Sequence, residues 1–309
     1  MEANTAVQSG SLANLSAPVT APPVPRIDPN TGYPLESRLW VLGGSDLEMK
    51  VIAGLLRLAG ERFVQPRKEW GNHSFDPSDL GIEMVARESS YHGGLDRRKE
   101  HLPREGLPRL YVFVECSPGK GWEDTNPVVL DHHGEQSQWP AAVLQVLKKL
   151  DLQISEPTRR FIELVAANDV AHIEGMRALG ASIEEIGRIR ALDREAQGIG
   201  IEHEREAERA IGNRVQKDRL TIVSMEHSKT ATVTDRLYGS YDQLLVRSGD
   251  GEANFFGDGK LCAELQKRFG GWSGGSGLGV PSQTAYWGMS NAGDNVQSFI
   301  EEHLMNGAS

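Results

Sequence analysis

The tightest constraint on how this chain can fold is the stretch from Pro127 to Gly134, Pro-Val-Val-Leu-Asp-His-His-Gly, where a short apolar run ends abruptly in an acid and two imidazoles. Val128, Val129 and Leu130 read as a buried strand. In open α/β folds such a strand delivers the residues after it to the carboxyl edge of the sheet, where ligands bind. Chemistry is therefore expected at Asp131, His132 and His133. A carboxylate beside neutral imidazoles suits manganese, iron, cobalt or zinc rather than a metal that demands thiolates. Three residues can match by chance, and the plainer alternative is a satisfied loop histidine; the position directly after a buried strand favours chemistry.

Two other apolar runs stop in the same way. Arg38 to Leu42 ends at Gly43, Gly44, Ser45 and Asp46, and from Leu47 a helical spacing takes over through Met49, Val51, Ile52, Leu55, Leu56 and Leu58. Strand, glycine turn and helix open an α/β domain. Leu110 to Val114 is a further strand, ending at Glu115. The Asp-His-His strand follows after about a dozen residues, too few for a full helical crossover, so the connection between these two strands stays open.

Between 61 and 108, prolines and glycines leave at most short strands such as Ile82 to Ala86. Trp70, His73, Asp76, His92 and Asp96 lie here singly and read as structural or surface residues. Arg97, Arg98, Lys99, Arg104 and Arg109 are candidates to attract an anion, with a solvated basic loop as the plainer reading. Helices are expected from Ala141 to Leu150 and from Pro157 to about Ala167, the second with Ser155 as N-cap and Pro157 in its first turn. Asp169 would then close that helix.

From Ser182 to Ile211 the sequence is charged with a thin apolar stripe, Ile183, Ile186, Ile189 and Leu192, as in long helices that link two domains. His203 and Glu206 read as part of a solvated face. A second α/β unit follows, with strands over 220–224, 244–247, 253–256 and 284–289 and a helix over 261–269. Within it, the run 270–279 holds six glycines, and Gly274, Gly275, Ser276 and Gly277 could turn backbone amides toward an anion. A flexible linker is the alternative.

Composition excludes several classes. A formal charge of -10 argues against coating long duplex nucleic acid, which needs a broad basic surface, but leaves room for a small anionic substrate beside a bound metal. Long apolar runs and a secretory-type amino terminus are both lacking, so neither a membrane span nor export is expected, and the chain is placed in the cytoplasm. Two cysteines, Cys116 and Cys262, do not make a disulfide framework. The expected organisation is a disordered Pro/Ala/Ser-rich leader over 1–33, a mainly parallel α/β domain over 34–180, a helical connector over 181–212 and a smaller α/β domain over 213–309. Pairing with a second copy, as a homodimer, is left open.

Strand-end acids, an intact Asp-His-His and a distal glycine-rich loop together resemble the DHH phosphoesterase superfamily, in its RecJ-like and oligoribonuclease-like form with a DHHA1-type second domain. The resemblance implies a catalytic first domain, a substrate-binding second domain, and one or two divalent ions, usually manganese, that activate water against phosphorus. By similarity, Asp46, Glu48, Glu115, His132 and Asp169 would hold metal, Asp131 would orient His132, His133 would contact the substrate phosphate, and Gly274 to Gly277 would bind substrate. The sequence departs from the family pattern where a first-motif histidine is replaced by Gly44, where Glu48 and Glu115 stand for aspartates, and where the glycine loop lacks its histidine. Two readings follow: a manganese-dependent phosphoesterase acting on a small nucleotide or short oligonucleotide, or a catalytically degenerate relative that binds a nucleotide or a protein partner.

Overall fold

The structure, a computed structural model, describes residues 38–66, 74–89, 98–103, 110–133, 136–275 and 277–306, without the side chains of 85–89, 98–103 and 306. The leader over 1–33, Trp70, His73, His92, Asp96, Arg97, Arg104, Arg109 and Ser276 fall outside the described residues. The chain is an α/β protein that divides into two compact units, Met1–Ala196 and Gln197–Ser309.

In chain order the first unit contains β1 (Arg38–Leu42), α1 (Leu47–Leu58), β2 (Phe63–Val64), β3 (Ser74–Phe75), a 3-10 turn (Pro77–Leu80), β4 (Met84–Ser89), β5 (Arg98–Pro103), β6 (Leu110–Val114), β7 (Ser117–Pro118), β8 (Val128–Leu130), α2 (Ala142–Leu150), α3 (Glu156–Ala178) and α4 (Ile183–Ala196). Its main sheet runs β2-β1-β6-β8, all parallel. Both faces are covered, which is why β1 and β6 read as continuous apolar runs rather than as alternating ones. Leu39, Val41, Tyr111 and Phe113 pack on one face with Phe75, Ile82 and Trp122.

The connection from β6 to β8 carries no helix. β7 pairs with β3, and Trp122 lies against Tyr111 and Phe113, with ring centroids 4.5 and 5.4 Å away, and donates from Nε1 to the Phe75 carbonyl at 2.8 Å. One large buried ring does the covering that a crossover helix usually does.

The helix expected to stop near Ala167 instead runs to Ala178, with non-helical backbone at Ala171 and His172. Gly175 lets the second segment fold against the first, since a Cβ there would meet the Ala167 carbonyl oxygen at 2.3 Å. The expected strand over 82–86 forms two residues later as β4, paired with β5, which carries Arg98 and Lys99.

The stretch 181–212 holds α4 in the first unit and α5 (Ile201–Gly212) in the second. The rest of the second unit is β9 (Val215–Lys217), β10 (Leu220–Met225), α6 (Ala231–Leu237), β11 (Gln243–Ser248), β12 (Ala253–Gly257), α7 (Gly259–Phe269), β13 (Trp272–Gly274), β14 (Ala285–Met289) and α8 (Asp294–Asn306). Its sheet order is β13-β14-β12-β11-β10-β9, with only β10 and β11 parallel. Strand alternation sends Leu245, Phe255 and Trp287 into a core with Leu261, Leu265 and Ile300, and Leu244 and Val246 into another with Ala207, Val233 and Leu237. No helix among the described residues is long and apolar enough to cross a membrane, and both cysteines are buried and free.

Candidate metal centre

Three acids and an imidazole meet at one place: Glu115 and His132 follow the exits of parallel strands, Glu48 lies in the first turn of α1 and Asp169 on α3. β1 ends at Gly43, whose amide donates to the Val114 carbonyl at 2.9 Å, while the Glu115 amide donates to Leu130 at 2.9 Å. A Cβ on Gly43 would lie 2.4 Å from the Glu115 carbonyl oxygen, so only glycine lets the two strand ends approach this closely. Glu115 itself adopts φ +50°, a left-handed conformation that costs a residue with a Cβ about 1–2 kcal/mol.

After Gly44 and Ser45, Asp46 caps α1 by accepting from the Met49 amide at 2.9 Å. Glu48, in the first turn, is only 2 % exposed; its Oε1 accepts from the Val143 amide at 2.9 Å at the start of α2. Asp169 projects from α3, where its neighbour Asn168 accepts from Arg190 Nη1 at 3.0 Å. Arg190 also donates to Asp193 Oδ2 at 2.7 Å, and Asp193 Oδ1 accepts from the Leu47 amide at 3.2 Å. This buried bracket ties the Leu47 backbone beside Glu48 to the Asn168 side chain beside Asp169.

The ligand atoms of Glu48, Glu115, His132 and Asp169 all lie within 4.8 Å of one another. His132 Nε2 is 2.8 Å from Glu115 Oε1 and 2.6 Å from Asp169 Oδ2. Neither approach has hydrogen-bond direction. Those three atoms and Glu48 Oε2 are all buried with no hydrogen-bond partner. Four buried polar atoms left unsatisfied would each cost about 1–3 kcal/mol, and native folds rarely leave such atoms bare. A divalent ion satisfies all four: oxygen and imidazole ligands stand about 2.0–2.2 Å from such an ion, which places neighbouring ligand atoms about 3 Å apart. The residues present therefore fit a metal, and their hard-to-borderline donors fit the first-row divalent ions.

The charge balance points the same way. Burial, then the charges of Glu115 and Asp169, push the Glu48 carboxyl far above the carboxylate range. Burial also raises Asp169, against the opposing effect of His132. Burial pushes Asp46 up to about 7; the Met49 amide opposes this, and Glu115, Asp169 and Asp193 add to it. The adjacent carboxylates of Asp169 and Glu115 hold His132 above the usual imidazole range against the opposing effect of burial. Without a cation the pocket holds more negative charge than its burial allows, so it takes up protons.

Asp131 is arranged differently from the role implied by the resemblance. Its Oδ1 accepts from the His132 amide at 2.7 Å, the His133 amide at 2.9 Å and His133 Nδ1 at 2.8 Å, so it orients His133 rather than the His132 ring. Burial opposes its ionisation, but the bonds from His133 and His132 outweigh that and hold its pKa below the usual value. The His133 side chain is 65 % exposed and 3.9 Å from Glu115. A loop carboxylate gathering its own following amides is an Asx-type turn, a signal already present in the Asp-His-His spacing.

The glycine run of the second unit is closely packed. Gly275 has φ +97° and would place a Cβ 2.2 Å from Thr284 O, while a Cβ on Gly274 would strike the Tyr286 hydroxyl at 2.6 Å. A Cβ on Gly277 would meet Ser282 Oγ at 2.5 Å, and the loop folds over Gly259 at the start of α7. The amides of Leu278, Gly279 and Val280 donate to carbonyls of Gly275, Gly259 and Gly277. These glycines serve close backbone contacts, and those three amides are committed within the unit.

No family model matches the chain, and no curated protein matches it. Among solved structures it is similar to the pGpG-specific phosphodiesterase PggH from Vibrio cholerae, at 14 % identity over 88 % of this chain and 99 % of that one, with a TM-score of 0.40. It is also similar to an uncharacterized protein from Helicobacter pylori G27, at 11 % identity over 86 % of this chain and 98 % of that one, with a TM-score of 0.24. At these scores neither likeness settles the fold or the activity of this chain.

Proposed function

We propose that this chain is a metal-dependent phosphoesterase of the DHH type, hydrolysing a phosphodiester or phosphate ester in a small nucleotide or short oligonucleotide. The observation that carries the reading is the quartet Glu48, Glu115, His132 and Asp169, whose buried, unsatisfied ligand atoms converge at the carboxyl edge of a parallel sheet. A divalent ion held by these four residues, manganese in this proposal, would supply Lewis acidity toward a phosphoryl oxygen and lower the pKa of a bound water.

The chain's own groups do the rest. The quartet's burial keeps bulk water from its ligand atoms, so charges there act through a low dielectric. Asp131 remains ionised, fixes the His133 ring and selects the tautomer with its proton on Nδ1. His133, exposed and held by Asp131, is assigned the contact with the substrate phosphate, donated from Nε2 when the ring carries both protons. A second reading, a non-catalytic relative that binds a nucleotide or a protein partner, is favoured by one feature: Gly44 offers no ligand and Asp46 spends an oxygen on its helix cap.

Hydrolysis of bis-p-nitrophenyl phosphate, a linear dinucleotide and a cyclic dinucleotide with manganese, magnesium or no metal separates the two. Manganese-stimulated turnover that falls at least about 10²-fold in His132→Ala is expected. Absence of turnover on the whole panel with every metal would favour the binding protein.

A further inference from the structure

Resting on that reading of the site, we infer that the centre is mononuclear: one six-coordinate divalent ion held by Glu48, Glu115, His132 and Asp169. Two-ion phosphoryl-transfer centres place their ions about 3.5–4 Å apart and need separate ligands for each. Among the described residues one complete set is found. The second grouping of possible ligands among the described residues, Glu115, His132 and His133, shares two of its three members with the first. Its third member, His133, has Nδ1 bound to Asp131 at 2.8 Å, which leaves only Nε2, on a side chain that is 65 % exposed. Asp46 belongs to neither grouping, and its Oδ1 is taken by the Met49 amide. Gly44 has no side chain, and nothing lies within 4 Å of where its Cβ would be.

Among the described residues a second ion would therefore have at most a shared Glu115, the exposed His133 Nε2 and the remaining oxygen of Asp46, with no second set of buried, unsatisfied ligand atoms at this site. Four protein ligands on an ion that prefers six leave two positions for oxygens from solvent or substrate, enough for a water and a phosphoryl oxygen to meet at one ion. A tetrahedral ion would be closed by the same four ligands.

The full chain, stripped with chelator, reloaded with manganese and desalted, is assayed for metal per chain and by electron paramagnetic resonance, alongside Asp46→Asn. The expected result is one manganese per chain in both proteins, with the six-line spectrum of an isolated ion. Two ions per wild-type chain with an exchange-coupled spectrum, falling to one in Asp46→Asn, would overturn the mononuclear centre while leaving metal-dependent hydrolysis standing. No retained manganese in the wild type would overturn both.

Discussion

His132 Nε2 lies 2.6 Å from Asp169 Oδ2 without hydrogen-bond direction between them. One comes from a strand exit and the other from the middle of α3, and two ligands approach in this way when both are aimed at a shared ion. The chain around them is built to hold that aim.

Arg190 is the first test of this framework. It is buried and joins Asn168, beside Asp169, to Asp193, which accepts from the backbone of Leu47 beside Glu48. Arg190→Met strips a buried carboxylate of this partner, a change that costs about 3–5 kcal/mol when a buried pair is broken. Urea unfolding of the metal-free protein is expected to show that loss, and manganese affinity should fall with it. Unchanged stability and affinity would remove the bracket from the account.

Two adjacent glycines should behave oppositely. A Cβ on Gly43 meets the Glu115 carbonyl oxygen at 2.4 Å, whereas Gly44 faces open space. Gly43→Ala is expected to cost about 1–3 kcal/mol and to weaken metal binding by displacing Glu115. Gly44→Ala should stay within about 0.5 kcal/mol of wild type with binding intact. Denaturation midpoints and manganese titrations of the two variants check the contrast; equal effects would contradict it.

Much of this was legible in the sequence and some was not. The apolar runs at Arg38–Leu42, Leu110–Val114 and Val128–Leu130 show as strands because burial on both faces leaves no polar alternation to confuse them. Placing acids at their ends follows from parallel topology. The passage of α3 through Asp169 was not legible, because the break at Ala171 and His172 depends on Gly175 folding against Ala167, a contact no local spacing encodes. Trp122 was likewise invisible as the cover for a helix-free crossover. The glycine run over 270–279 looked like an anion cradle because composition shows freedom of φ but not which carbonyls approach.

Protonation of the metal-free centre sets how stability depends on pH. Asp46 rises from an ordinary 3.8 to about 7, so the folded state keeps a proton that the unfolded chain releases, and stability falls as pH rises across that window. Raised pKa values at Glu48 and Asp169 act with the same sign. His132, held above its ordinary 6.5 by the adjacent carboxylates, contributes stability that is full below 6.5 and is lost as pH rises through its raised value. In chelator, the melting midpoint should therefore drop between about pH 5 and about pH 9, while the added stabilisation from manganese grows, because the ion displaces those protons. A metal-induced shift that shrinks with rising pH would contradict the assignment.

The most direct test of the central claim is calorimetric titration of manganese into the wild type and Glu48→Gln. Glu48 Oε2 is buried without a partner, and the amide keeps the side chain's size and its bond acceptor for Val143 while removing the charge. The account predicts stoichiometric binding to the wild type and affinity lower by at least about 10²-fold in the variant, with the fold retained. Equal binding by both proteins, or none by the wild type, would show that these four side chains do not form a metal centre.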